Sequence, residues 1–209
     1  MPTPTLPVLL TLGFVVLVAW YLTFSATRLD RLHARVEGAR SALDAQLVRR
    51  ASVTLQLAAS GRLDPATSLL LADAAHEARE ADIDGAAPDG GAADGSAADG
   101  LTREQAESDL TSVLRAAFAD PEQVEDLRAD PVGRDLLREL AAAGLRVQLA
   151  RRFHNDVVRS ARVVRRKRVV RYLRLAGHAP WPQTFEISDT PPETLAAGAV
   201  TSDAYRRPT

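Results

Sequence analysis

Residues 28–61, "RLDRLHARVEGARSALDAQLVRRASVTLQLAASG", carry the clearest structural signal in the chain, because apolar residues recur there every three or four positions. These residues are Leu29, Leu32, Val36, Ala39, Leu43, Leu47, Ala51, Leu55 and Ala58. This spacing places them on one face of an amphipathic α-helix, and that face must be covered by other helices. We expect Ser60-Gly61 to end the helix.

Two further helices are indicated by their N-terminal signals. Asp64-Pro65 gives an N-cap followed by proline at the first helical position, which predicts a second helix over 65–81. Thr102, with Gln105 three residues later, has the form of a capping box. This pair predicts that a third helix begins at Thr102.

The cap-then-proline signal occurs again at Asp120-Pro121 and Asp130-Pro131. The first predicts a short helical turn, and the second predicts a fourth long helix from about Pro131 to Leu175. Its apolar stripe is Leu136, Leu140, Ala143, Val147, Ala150, His154, Val157, Ala161 and Val164.

Helices with short connections and no strand pattern predict an all-α fold, an elongated antiparallel four-helix bundle over 25–176. The stretch "DGAAPDGGAADGSAADG" has no large apolar residue, so we predict a disordered linker at 82–100. Residues 177–209, rich in Pro, Thr and Ala, are predicted to form a mostly disordered C-terminal tail. The apolar stripes also permit coiled-coil-like pairing, so a homo-oligomer is the main structural alternative.

The residues before the bundle predict a membrane anchor. Residues 6–24, "LPVLLTLGFVVLVAWYLTF", contain no charge and approach the roughly twenty residues that a helix needs to cross a bilayer. A cleaved signal peptide is the competing interpretation, but no basic residue precedes the run, and Phe24-Ser25-Ala26 is a poor cleavage site. Basic residues follow the span, which predicts a single-pass cell-membrane protein with its N-terminus outside and its bulk in the cytoplasm. They are Arg28, Arg31, Arg35 and Arg40.

Composition excludes some classes of site. The 209 residues fit one domain with accessory segments, and the net charge of −1 gives no global preference for nucleic acid. No cysteine is present, so neither a disulfide framework nor a thiolate metal site can form.

Two patches resemble the LemA family of bacterial membrane-anchored helical proteins. The first is "ALDAQLVRRASVTLQLA" (42–58), and the second is "LARRFHNDVV" (149–158). The resemblance covers most of residues 25–186 and implies a membrane anchor followed by a long four-helix bundle, but no settled biochemical activity. The residues that match the family's motifs are Leu43, Asp44, Gln46, Leu47, Arg49 and Arg50 in the first patch, and Ala150, Arg151 and Asn155 in the second.

The sequence departs from the family pattern in three places. His154 stands where the family has an aromatic residue, the predicted linker is long, and "RRKRVVRYLRL" (165–175) follows the second patch. These differences mark a divergent member.

The polar residues of the two patches form one candidate site. It is either a recognition patch or an interhelical network that fixes the register of the bundle, and the second interpretation is favoured because buried polar groups must find partners. The residues are Asp44, Gln46, Arg49, Arg50, Arg151 and Asn155.

No pattern predicts catalysis, a cofactor or a metal. "RELAAAGLRV" (138–147) resembles part of a Nudix motif, but Ala141, Ala142 and Ala143 stand where that motif needs metal-binding glutamates. The four histidines have no zinc-site spacing. We therefore predict a protein that is not an enzyme.

The fourth helix ends in a basic run. Between Arg146 and Arg174 there are ten Arg and one Lys against Asp156 alone. The run is either a solvated face or, if the bundle brings its end back to the bilayer, a surface for anionic lipid. Within residues 165–175, Tyr172 is the only aromatic residue, so nucleic acid is disfavoured as a partner. The candidate lipid-facing residues are Arg165, Arg166, Lys167, Arg168, Arg171 and Arg174.

These observations together predict a non-enzymatic, membrane-anchored helical scaffold or adaptor with protein partners that the sequence does not name. The alternative is a membrane-surface module whose basic helix end binds anionic lipid headgroups.

Overall fold

The computed structural model describes residues 5–85, 95–166 and 181–195. Side chains are described for 9, 10, 12–17, 20, 21, 31–81, 103–166 and 181–195. These ranges contain five α-helices and no strand, which confirms the all-α class. The helices are α1 (Thr5–Ala58), α2 (Pro65–Gly85), α3 (Gly95–Ala117), α4 (Pro121–Ala129) and α5 (Pro131–Arg165).

The first helix ends where the sequence predicts. The hydroxyl of Ser60 donates to the carbonyl of Leu57 at 2.7 Å, and Gly61 has a φ of 67°. This left-handed conformation is strained for any residue with a Cβ atom, so glycine suits the position.

Aspartates cap the helices that begin with proline. Asp64 accepts from the backbone N–H groups of Ala66 and Thr67, both at 3.0 Å, and Asp120 accepts from Glu122 at 3.0 Å. Hydrogen bonds from the side chain and then the backbone of Thr67 hold the pKa of Asp64 below its ordinary value. The cap-then-proline predictions for α2, α4 and α5 are confirmed.

Two predicted boundaries are wrong. The third helix begins at Gly95 rather than Thr102, and α2 continues to Gly85, so helix enters the predicted linker from both sides. Extending an existing helix is easier than starting one, because each added residue gains one backbone hydrogen bond. Small and polar residues that would not start a helix can therefore extend one. Residues 86–94 of the predicted linker and 167–175 of the predicted fourth helix lie outside the described residues.

The chain divides into two compact units, which α1 and α5 both enter. The first unit comprises residues up to Gly38 together with Asp156–Gln183. The second comprises Ala39–Asn155 together with the residues from Thr184 onward.

The second unit contains the main hydrophobic core. In it α2 packs on α3, and all five helices contribute buried apolar side chains. Contacts between helices give their relative directions. Residue 44 of α1 contacts residue 103 of α3, and residue 50 contacts residue 107, so the numbers rise together. Residues 43 and 47 of α1 share a cluster with residue 147 of α5, whereas residue 49 contacts residue 139, so the numbers run in opposite directions. α3 is therefore parallel to α1 and α5 is antiparallel to it, as in an up-and-down bundle. The largest fully buried apolar side chains of the second unit are Phe118, Leu43, Leu47, Leu57, Leu71, Leu110, Val53, Val124 and Val147.

The predicted disordered tail is corrected over residues 184–195, which we call the strap. Ile187 and Leu195 are buried in the clusters of the second unit, and Phe185 packs against one of them. A composition rich in Pro, Thr and Ala suggested a tail with nothing to bury, but the apolar residues Ile187 and Leu195 of the strap pack into the helical core. The remaining residues of the predicted tail, except 181–183, lie outside the described ranges.

Candidate functional site

A buried ion pair joins α1 to α3. Arg50 and Glu107 are 3% and 1% exposed, and the guanidinium Nη2 pairs with a carboxylate oxygen of Glu107. Nη2 also donates to the Glu107 carbonyl, and Nη1 donates to the Thr111 hydroxyl, each at 3.0 Å. Thr111 in turn donates to the same carbonyl at 3.0 Å. Each charge is therefore compensated, which burial in an apolar core requires.

A second ion pair lies two turns toward the start of α1. Arg103 Nη1 lies 2.9 Å from Asp44 Oδ1, and the Arg103 guanidinium stands 5.9 Å from the ring centroid of Phe185. Arg103 is 7% exposed. It therefore joins three elements, α1, α3 and the strap.

The two neighbouring residues of the first patch have different surroundings. Arg49 faces outward and pairs with Glu139 of α5, with both side chains over one-third exposed. The side-chain amide oxygen of Gln46, Oε1, is buried and has no hydrogen-bond partner in the described part of the chain.

The α5 members of the patch bind the strap. Asn155 donates from Nδ2 to the Phe185 carbonyl at 3.0 Å, and its Oδ1 accepts from the Phe185 N–H at 2.8 Å. Arg151 donates from Nε and Nη2 to the two carboxylate oxygens of Asp189 at 2.7 and 3.1 Å. Its Nη1 also lies 3.7 Å from Glu186.

The predicted single network is therefore divided into two. Asp44 and Arg50 bond to α3, whereas Arg151 and Asn155 bond to the strap. Within the described residues, no hydrogen bond or ion pair joins Asp44 or Arg50 directly to Arg151 or Asn155. The first network joins α1 to α3, and the second joins α5 to the strap, so only the first is interhelical. The sequence analysis did not predict the partner residues on α3, although polar residues recur there every three or four positions. Those partners are Arg103, Glu104, Glu107, Ser108 and Thr111.

Two other features of the second unit do not form a chemical centre. His154 is 5% exposed on the core face of α5, and no group of three His, Asp or Glu side chains in the described ranges is arranged to hold a metal ion. An open groove of about 580 Å³ lies between the α1–α2 turn and α4, and two of its carboxylates, Asp64 and Asp130, already cap helices.

In the first unit, α1 has an unusual surface between Leu9 and Tyr21. Nine large apolar side chains there are 50–69% exposed, and their positions lie on all sides of the helix. Within the described residues, no helix combines the length and the apolar character that a membrane crossing requires. Several side chains of the predicted anchor at 6–24 lie outside the described set. The nine are Leu9, Leu10, Leu12, Phe14, Val15, Val16, Leu17, Trp20 and Tyr21.

The basic run beyond Asp156 belongs to the same unit, and its described arginines are Arg159, Arg162, Arg165 and Arg166. The Arg165 guanidinium stands 5.2 Å from the ring centroid of Trp181, and Arg162 Nε donates to the Pro182 carbonyl at 2.7 Å. Arg166 is exposed. The other candidate lipid-facing residues, Lys167, Arg168, Arg171 and Arg174, lie outside the described residues.

No protein-family model, curated protein or solved structure matches the chain. The resemblance to the LemA family remains a prediction from the two sequence patches.

Proposed function

We propose that the protein is a membrane-anchored helical scaffold or adaptor, not an enzyme, with residues 6–24 as its anchor. The observation that carries this proposal is the ring of nine exposed apolar side chains between Leu9 and Tyr21. A helix that is apolar on all sides is typical of a membrane span or of a position deep inside a large core. The resemblance to the LemA family supports the same role.

The energetic argument favours a bilayer over a single partner helix. Leaving one large apolar side chain in water costs about 1.5–3 kcal/mol relative to burying it. For nine such residues the sum is on the order of 10 kcal/mol or more. A partner helix would cover one face only, whereas lipid covers every side of the helix.

A second candidate function is binding of the basic end of α5 to anionic lipid. The observation that favours it is the composition of the first unit, which holds both the N-terminal part of α1 and the residues Asp156–Gln183. Arg159, Arg162, Arg165 and Arg166 therefore belong to the same unit as the proposed anchor. Each Arg near an anionic membrane surface contributes about 1 kcal/mol.

The anchor is tested by alkaline carbonate extraction of membranes from cells expressing the full chain. We expect the chain to remain in the membrane pellet and the double variant L12R/V16R to be released, because each Arg at the centre of a span costs about 2.5–3.5 kcal/mol. The control is L69R/L70R, which places the same charges on exposed apolar residues of α2 and should remain in the pellet. Extraction of the unaltered chain by carbonate would contradict the proposal.

The side of the membrane is tested with one thiol. The chain has no cysteine, so Gly91→Cys provides a unique site for a membrane-impermeant maleimide. We expect no labelling in intact cells and full labelling after lysis. Labelling of intact cells would place the second unit on the outer side.

Lipid binding is tested by sedimentation of a chain starting at residue 25 with vesicles at low salt. We expect binding to anionic vesicles only, and R165E/R166E should weaken it. The matched control, R138E/R146E, makes the same change of charge on the same helix within the second unit. Equal loss with both variants, or equal binding to neutral vesicles, would rule out a specific basic end.

A further inference from the structure

The strap lies against α3 and α5, extended over residues 184–192 and with a short helical turn at 193–195. Side chains of the two helices form hydrogen bonds with its backbone. Asn155 exchanges two hydrogen bonds with the backbone of Phe185, the pattern that a neighbouring β-strand would provide. On the α3 side, Glu104 accepts from the N–H of residue 186 at 2.7 Å, and Ser108 accepts from the N–H of residue 188 at 3.1 Å. Bonds of this kind depend on extended geometry and not on the identity of the side chain.

Selectivity comes from a carboxylate and two apolar anchors. Asp189 accepts both hydrogen bonds of a bidentate pair with Arg151, and Gln148 donates to the Asp189 carbonyl at 2.6 Å. Ile187 and Leu195 are 8% and 5% exposed. The position of Asp189 between these anchors fixes the register of the strap.

The charges of the two sides are complementary. The strap carries three acidic residues and no basic one, "TFEISDTPPETL". Arginines from three helices meet it: Arg103 stacks on Phe185, Arg151 holds Asp189, and Arg128 donates to the carbonyl of residue 194 at 2.6 Å.

The strap is not closely packed along its whole length. A cavity of about 30 Å³ remains beneath it, lined by Arg50, Thr111, Gly144, Asp189 and Pro191 among others. The gap has room for about one water molecule. The strap therefore covers the groove without filling it completely.

We propose that the groove between α3 and α5 is a peptide-binding site, which the strap occupies in the isolated chain and which accepts an extended acidic segment of a partner protein. The segment recognised has an aromatic residue, an aliphatic residue two positions later and an aspartate two positions after that. Two prolines further along favour the extended conformation. The proposed site specifies the chemistry of the partner that the scaffold would bind. It rests on the proposed function only for its biological role, because every residue involved lies in the second unit.

Competition by the strap explains how such a site would be regulated. A segment tethered to its own groove competes at an effective concentration on the order of millimolar. A partner peptide therefore binds well only when its affinity is high or when the strap has been weakened. The strap acts as an internal inhibitor of the groove.

The test uses the full chain with strap variants I187S/D189A and the labelled peptide TFEISDTPPETL, followed by fluorescence anisotropy. These substitutions weaken the strap and leave the helices intact. We expect saturable binding, at least about tenfold tighter than to the unaltered chain. A peptide with Ala in place of Asp189 should bind at least about tenfold more weakly, because it loses two charge-assisted hydrogen bonds.

Groove variants complete the design. Adding Arg151→Ala to the strap-weakened chain should abolish binding, whereas Arg152→Ala, an exposed neighbour, should not alter it. If I187S/D189A loses its helical circular dichroism, the chain with Asp189→Ala alone replaces it. A folded strap-weakened chain that fails to bind the peptide overturns the proposal. So does a chain that excludes the peptide and exchanges straps in a dimer, detected by light scattering. Failure of this assay leaves the carbonate extraction result unaffected, so the two proposals fail separately.

Discussion

Removing the carboxylate of Glu107 should destabilise the second unit more than any surface change. Glu107→Ala leaves the Arg50 guanidinium, 3% exposed, without its counter-charge in the core. Breaking one side of a buried pair costs about 3–5 kcal/mol, because the remaining charge stays desolvated. Thr111 still bonds to Arg50 but supplies no charge.

The assay is thermal unfolding of the purified full chain, followed by circular dichroism at 222 nm. For a chain of this size, each kcal/mol lowers Tm by roughly 2–4 °C, so a cost of about 3–5 kcal/mol predicts a loss of roughly 6–20 °C. The control is Glu139→Ala, which removes the partner of the adjacent Arg49 on the exposed side of the same helix. An exposed pair contributes only about 0–1 kcal/mol, so Tm should change by a few degrees at most.

A double variant separates electrostatics from packing. Arg50→Met with Glu107→Leu removes both charges and keeps apolar volume, which is often close to neutral for buried pairs. We expect the double variant to recover most of the stability lost by Glu107→Ala. The reasoning is refuted if Glu107→Ala costs less than Glu139→Ala, or if the double variant is as unstable as the sum of its parts.

Two further predictions concern the junction of α4 and α5. Gly133→Ala should lower Tm, because a Cβ there would collide with the carbonyl oxygen of Leu127. The control is Gly144→Ala, which should leave Tm unchanged or raise it, because the space around its Cβ is open and alanine favours helix more than glycine does. Asp130 has a pKa below its ordinary value, chiefly through the hydrogen bond from Arg62 and then through the N–H of residue 133. The stability that ionised Asp130 contributes is therefore complete above pH of about 4 and is lost as the pH falls through the lowered pKa. Between pH of about 5 and about 2.5, the Tm of Asp130→Asn should fall by less than the Tm of the unaltered chain, because the variant has no carboxylate to protonate there. Equal acid sensitivity of the two chains would contradict this assignment.

Helix starts were predictable because their signals are local. Asp120 and its proline specify a cap within three residues, and the structure has that bond. The predicted start of α3 was wrong because the residues of a capping box at a helix start can also lie inside a longer helix. Once helix forms before Thr102, the box no longer marks an end. A helix propagates at little cost through residues that would not nucleate it.

The candidate site was predictable as a set of residues but not as a set of contacts. Arg50 and Glu107 are separated by 57 positions, and Asn155 and Phe185 by 30. Pairing over such separations depends on how helices are rotated and on where the chain returns, which apolar periodicity does not encode. The strap has no periodic pattern of its own, so composition alone indicated a tail.

The sequence separation of the strap's contacts also determines when the strap can form during folding. Glu104 and Glu186 meet across 82 positions, so the groove exists only after α3 and α5 have packed. Contacts of this kind close late, since the entropy of a long loop must be overcome first. Until then the places of Ile187 and Leu195 in the core are open to water. A chain stopped before residue 184 would thus contain α1 to α5 and still expose apolar surface, the feature by which proteases and chaperones distinguish an unfinished protein from a finished one.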